Sequence, residues 1–184
     1  MLDPAKVEAL QKIKYFRAPD DGRVVAIFIA GDFDEYEHFP PYFDNEDEIR
    51  HLKEAYSGVD PEVERRTKAH ICDDMWPLQV VMLERSPGGI TKPHYHVPEI
   101  PLPDFPTRHQ ILWCKRGKAR IKVLTRQGHD LGDVFLEPLD LILMAEGHEV
   151  EFIEPKTQLV EIKQGPFPTT DEADKVDIEK VIPI

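Results

Sequence analysis

Three histidines have the residue type and spacing that metal chemistry requires. His94 and His96 flank a single tyrosine. On an extended segment side chains alternate faces, so both imidazoles project the same way, about 7 Å apart along the strand. Neutral imidazole binds divalent metals at ~2.0–2.2 Å, and two such ligands on one strand need one or two more from neighbours. His148 opens the segment HEVEFIE, where it shares a face with Val150 and Phe152. A histidine in line with buried apolar residues needs partners for its ring nitrogens.

Several neighbours extend this constellation. Gly88-Gly89 and Pro93 prepare a tight approach to the pair. In HQILWCKRG, Gln110 shares a face with Leu112 and Cys114, and its amide oxygen can ligate a metal weakly or bind a metal-bound water. A one-residue shift of that strand would put His109 there instead; the six-residue spacing from Gln110 to Gly117 favours Gln110. Glu99 is a carboxylate on the intervening segment. Arg108 offers a bidentate fork to a carboxylate or phosphate, against a surface ion pair as the plainer role. Lys92 shares strand parity with the histidine pair and is expected near the mouth of the site. Glu161 and Lys163 alternate with Val160 and Ile162. The simpler packing has the apolar pair inside; the reverse would make Glu161 a candidate base. Glu84 carries the same ambiguity. Tyr95 and Trp113 fall on the outer face, and Trp113 there suggests contact with the N-terminal region or a second subunit. The candidate catalytic residues are therefore Gln110, Arg108 and Glu161.

The elements that must hold these residues are short strands. LQVVMLERS, HQILWCKRG, KARIKVLTR, DVFLEP, LDLILMA, HEVEFIE and QLVEIKQG are separated by Gly, Pro, Asp or Lys-rich turns. Many short strands at this spacing mean a sandwich or barrel, not a βαβ sheet. The expected organisation is a mixed helical and strand extension over 1–74, a β-barrel over 75–167 and a polar tail over 168–184, whose final VIPI is the part able to dock. Within the extension, 3–14 reads as an amphipathic helix capped by Asp3 with Pro4 at its first position. RVVAIFIA reads as a strand, and 46–56 and 60–69 as helices. The acidic, aromatic stretch GDFDEYEHFPPYFDNEDE lacks the spaced ligands and turn glycine of a calcium loop and reads as a solvated arm or lid.

Composition narrows the partners. The 184 residues carry 35 acidic against 23 basic side chains, a formal net charge of −12, which argues against a nucleic-acid surface. A local cationic cluster inside that field still allows an anionic substrate. The cysteines, Cys72 and Cys114, form no paired motif, so a reducing cytoplasm is expected. No leader pattern opens the chain, and its apolar runs fall short of the ~20 residues of a membrane helix.

Residues 78–167 resemble a cupin, the small double-stranded β-helix barrel or jelly roll. The family's first motif runs Gly, five residues, HxH, three or four residues, Glu, six residues, Gly. Here stand Gly88, five residues, His94-Tyr95-His96, then Gln110, six residues and Gly117. Thirteen residues separate His96 from Gln110, and Gln replaces the usual Glu ligand. In the second motif Leu139 takes the first Gly position, Asp140 matches the Asp that often follows, and Ala145 and Gly147 take the Pro and second Gly positions. His148 arrives two residues early, a shift that preserves its face. The resemblance implies an all-β-dominated fold with one divalent metal on His94, His96 and His148, Gln110 completing the site and His109 its rival.

A three-histidine site with a neutral fourth donor leaves the metal electrophilic, with positions open for a chelating substrate and dioxygen. The first expectation is thus an iron-dependent dioxygenase on a small polar or carboxylate-bearing metabolite, with Fe(II) preferred over Zn, Mn or Ni. It would need an apolar lining, for which Leu112, Met144, Phe152 and Ile111 are candidates. The alternatives are a metal-assisted isomerase, epimerase or lyase on a sugar or hydroxy acid, and a non-catalytic binding cupin. A homodimer is expected, as is common among cupin-like proteins.

Overall fold

The computed structural model describes residues 13–29, 68–70, 72, 75–85, 87–98, 106–167 and 174–183. The described residues are mostly strand. In chain order they are β1 (Ile13–Arg17), β2 (Val24–Ile29), β3 (Lys68–His70), β4 (Leu78–Arg85), β5 (His94–His96), β6 (Gln110–Arg116), β7 (Ala119–Leu124), β8 (His129–Leu136), β9 (Leu141–Met144), β10 (Gly147–Phe152), β11 (Thr157–Gln164), β12 (Lys175–Asp177) and β13 (Ile182–Pro183).

All seven expected strands from Leu78 onward are present. With β3, β5, β12 and β13 they form a six-stranded sheet of order β12-β5-β10-β7-β8-β13 and a five-stranded sheet of order β3-β4-β11-β6-β9. The six-stranded sheet resembles one half of a cupin barrel. Consecutive strands are often not neighbours, because the chain crosses between the sheets. Leu112, Cys114, Met144 and Leu159 from the smaller sheet share one buried core with Ala119, Ile121, Leu136, Val150 and Phe152 from the larger. The period-2 alternation of β6 produces this directly, with Gln110, Leu112 and Cys114 buried and the residues between them half-buried.

Turn chemistry fixes the register. Gly117 joins β6 to β7 at φ 76°, and a Cβ there would lie 2.3 Å from the Thr157 hydroxyl. Leu139 adopts the same left-handed conformation at φ 80°, although it carries a branched side chain. Its turn is held by Asp140, whose carboxylate accepts the Glu137 N–H.

Two expectations give way at element ends. Ile13 and Lys14, read as the end of a helix, pair with Ile29 and Phe28 in a β1–β2 hairpin. Lys68 and Ala69, at the end of another expected helix, pair with Leu83 and Met82. In both places ladder pairing with a distant strand overrides local helical preference. The remainder of those helices, the helix at 46–56, the acidic arm and Glu99 lie outside the described residues. Among the described residues no helix is long and apolar enough to cross a membrane.

The C-terminal residues contribute more than docking. β12 pairs with the HxH strand, and β13 runs parallel to β8. KVD is polar because β12 is an edge strand, bound through its backbone and not through an apolar face.

Candidate metal centre

The three histidines converge because two strands present them side by side. β5 carries His94 and His96 on its inner face, and β10 sets His148 directly opposite His94. The segment before β5 is fastened along β10, with the Gly88 N–H donating to the Phe152 carbonyl and the Thr91 N–H to the Val150 carbonyl. All three imidazoles are buried. Ring centroids lie 4.5 Å apart for His94 and His148, 5.0 Å for His94 and His96, and 5.6 Å for His96 and His148. One nitrogen from each ring lies within 4.8 Å of the others.

His94 and His148 are held in the ligand form. His94 Nδ1 lies 2.6 Å from the Lys92 carbonyl and so donates there, which leaves the Nε2 lone pair free. Burial pushes the His94 imidazole down from 6.5 to about 4, with the neighbouring His96 adding to the effect and the Lys92 carbonyl opposing it. Burial, then the charges of His94 and His96, hold His148 well below its ordinary value. Neutral imidazole is what a divalent metal binds.

Across from the histidines stands a polar row on the inner face of the five-stranded sheet. Lys163 pairs in register with Gln79 on one side and Gln110 on the other, and Glu161 lies one inward position along. All four are buried. Gln110 Nε2 lies 2.7 Å from His148 Nε2, while Gln110 Oε1 is buried without a hydrogen-bond partner. A buried amide oxygen beside three convergent imidazoles suits a cation, so the residues present fit a divalent metal. His109 is outside the histidine cluster; its N–H donates to the Gln164 side chain.

Other expected positions differ. Glu161 and Lys163 point inward, where the simpler packing had Val160 and Ile162. The charges are tolerated because they are paired: Lys163 Nζ lies 3.1 Å from Asp174 and 3.7 Å from Glu161. Val160 is buried as well, on the other face of the sheet. Arg108 is neither a surface ion pair nor a free fork. It is 1% exposed, donating to Asp174 at 2.8 Å and to the Pro166 carbonyl. Lys92 is 82% exposed and paired with Asp177, the ladder partner of His94. Glu84 lies on the outer face with Gln158 and Arg116. Leu112, Met144 and Phe152 are buried as expected of a lining, whereas Ile111 falls on the opposite face, in register with Ile162.

Sequence reasoning missed Asp174. It joins the site by preceding β12, with its carbonyl accepting the Val97 N–H. Its carboxylate bridges Arg108 and Lys163 and lies 2.9 Å from His96 Nδ1. That last contact is an ion pair only when His96 is protonated, and His96 Nδ1 makes no hydrogen bond. An acidic residue in a polar stretch gives no local signal of this role.

No protein-family model and no curated protein matches the sequence. Solved structures do match. Oxalate decarboxylase from Bacillus subtilis aligns with a TM-score of 0.43 and 15% identity, over 55% of this chain and 24% of that one. KdgF from Halomonas sp. aligns with a TM-score of 0.42 and 18% identity, over 57% of this chain and 80% of that one. The coconut allergen cocosin aligns with a TM-score of 0.40 and 19% identity, over 48% and 22%. The aligned part thus spans about a quarter of the decarboxylase and cocosin chains. The two-sheet β core and the buried three-histidine cluster agree with what the resemblance to cupins implies.

Proposed function

We propose that the protein is a metal-dependent lyase or isomerase acting on a small hydroxy or keto acid. The observation that carries this reading is the polar row, with Glu161 and Lys163 buried opposite the three histidines. A bound divalent metal would polarise a substrate carbonyl or hydroxyl as a Lewis acid. His94, His96 and His148 would hold it, with the Gln110 side-chain amide beside it. Glu161 is the general base in this scheme, accepting a proton from the substrate carbon, and Lys163, 3.7 Å away, orients its carboxylate. The Arg108–Asp174 pair fixes Lys163 from behind.

An iron-dependent dioxygenase on the same scaffold is the second reading. It is favoured by the neutral donor set, which leaves positions open, and by buried Leu112 and Met144. Proton chemistry and oxygen chemistry are separable. Protein reconstituted in turn with Mn(II), Zn(II) and Fe(II) is incubated with α-hydroxy and α-keto acids in D2O and followed by proton NMR. The lyase or isomerase reading predicts loss of the proton signal or product formation without oxygen uptake, abolished by Glu161→Gln. Oxygen consumption with Fe(II) alone, unaffected by Glu161→Gln, would overturn it in favour of the dioxygenase.

A further inference from the structure

We propose that Lys175 is the substrate's second anchor, its ammonium taking a carboxylate of an anionic substrate whose other end lies against the three histidines. This rests on the metal-centred reading above and adds the substrate class to it: an α-hydroxy or α-keto acid with a second, distal carboxylate.

Register places Lys175 at the site. It is the direct antiparallel partner of His96, and residues directly opposite on such a ladder project to the same face, with Cβ atoms about 4.5–5.5 Å apart. Lys175 is half-buried, and a lysine stem starting beside the imidazole can lie along the site while its head keeps access to solvent.

Charge balance supplies the second argument. Arg108, Lys163, Asp174 and Glu161 are buried and mutually paired, two cations against two anions. Gln110 is a neutral donor, and an imidazole bound to a divalent metal is a neutral ligand. Lys92, the other lysine near β5, is paired with Asp177. Lys175 makes no ion pair among the described residues. Among the described residues, a divalent ion on the histidines together with Lys175 therefore leaves positive charge unmatched, inside a chain whose net charge is −12. Partly buried charge without a counter-charge is costly, and an anionic ligand spanning both centres relieves it. A monocarboxylate would satisfy the metal end alone.

Lactate and malate separate these cases, because both chelate through an α-hydroxy carboxylate and malate alone adds a distal one. Each is titrated into the Co(II)-substituted protein and followed by the cobalt d–d absorption. Malate is expected to bind wild type about tenfold more tightly than lactate, the scale of one charge-assisted hydrogen bond. Lys175→Met is expected to retain its cobalt and lose this advantage, with lactate binding unchanged, while Lys175→Arg retains most of it. Equal weakening of both acids by Lys175→Met, or no change for malate, would overturn the proposal while leaving the metal-centred reading intact. If neither acid perturbs the bound cobalt in wild type, that reading fails and the proposal with it.

Discussion

Asp174 bridges Arg108 and Lys163, binding the first at 2.8 Å and the second at 3.1 Å in a setting from which water is excluded. The carboxylate comes from the C-terminal segment, while the two cations flank β6 and line β11. One side chain therefore ties the edge of the six-stranded sheet to the floor of the other sheet.

Removing that carboxylate leaves two buried cations short of a counter-charge. Asp174→Asn is expected to destabilise the protein by about 3–5 kcal/mol, the cost typical of breaking a buried pair from one side. Urea denaturation of the metal-free protein measures it. A loss below about 1 kcal/mol, as for an exposed pair, would show that the bridge does not form in solution.

Acid should weaken the metal-free fold through the histidines. His94 titrates at about 4 in the folded chain against an ordinary 6.5, and His148 is shifted in the same direction. Between those values the unfolded chain binds more protons, so stability is fully present above about pH 6.5 and is lost as pH falls towards 4. His94 alone accounts for about 3 kcal/mol. With a chelator present, the urea midpoint should fall steadily from pH 7 to pH 4.5, and His94→Gln should flatten the dependence. A midpoint independent of pH across that range would contradict it.

Leu139 and Gly117 occupy the same left-handed region, at φ 80° and 76°. Leu139 is exposed and nothing in its turn requires the side chain, so Leu139→Gly should relieve strain and stabilise by about 0.5–1 kcal/mol. Gly117→Ala should destabilise, because its Cβ would press on both the Thr157 hydroxyl and Cα. Thermal melts of the two variants should shift in opposite directions; a shift in the same direction would remove the conformational explanation.

The strands from Leu78 onward were legible because each is bounded by turn residues and several alternate apolar with polar side chains, as β7 and β10 do. His94, His96 and His148 were legible for the same reason: parity decides their face, and register did the rest. Glu161 and Lys163 were not, since a one-dimensional pattern assigns the inside to Val160 and Ile162. Their compensation comes partly from Asp174, and Arg108 meets that same carboxylate 66 residues away in sequence. Backbone pairing to the HxH strand likewise hid β12, whose side chains carry no apolar signature.

Metal stoichiometry tests the central claim most directly. Wild type and His96→Ala are purified in parallel, reconstituted with a divalent metal, desalted, and compared by elemental analysis, with circular dichroism as the check on folding. The three-histidine centre predicts one equivalent in wild type and its loss in a folded His96→Ala. One equivalent retained by His96→Ala, or none bound by wild type, would contradict it.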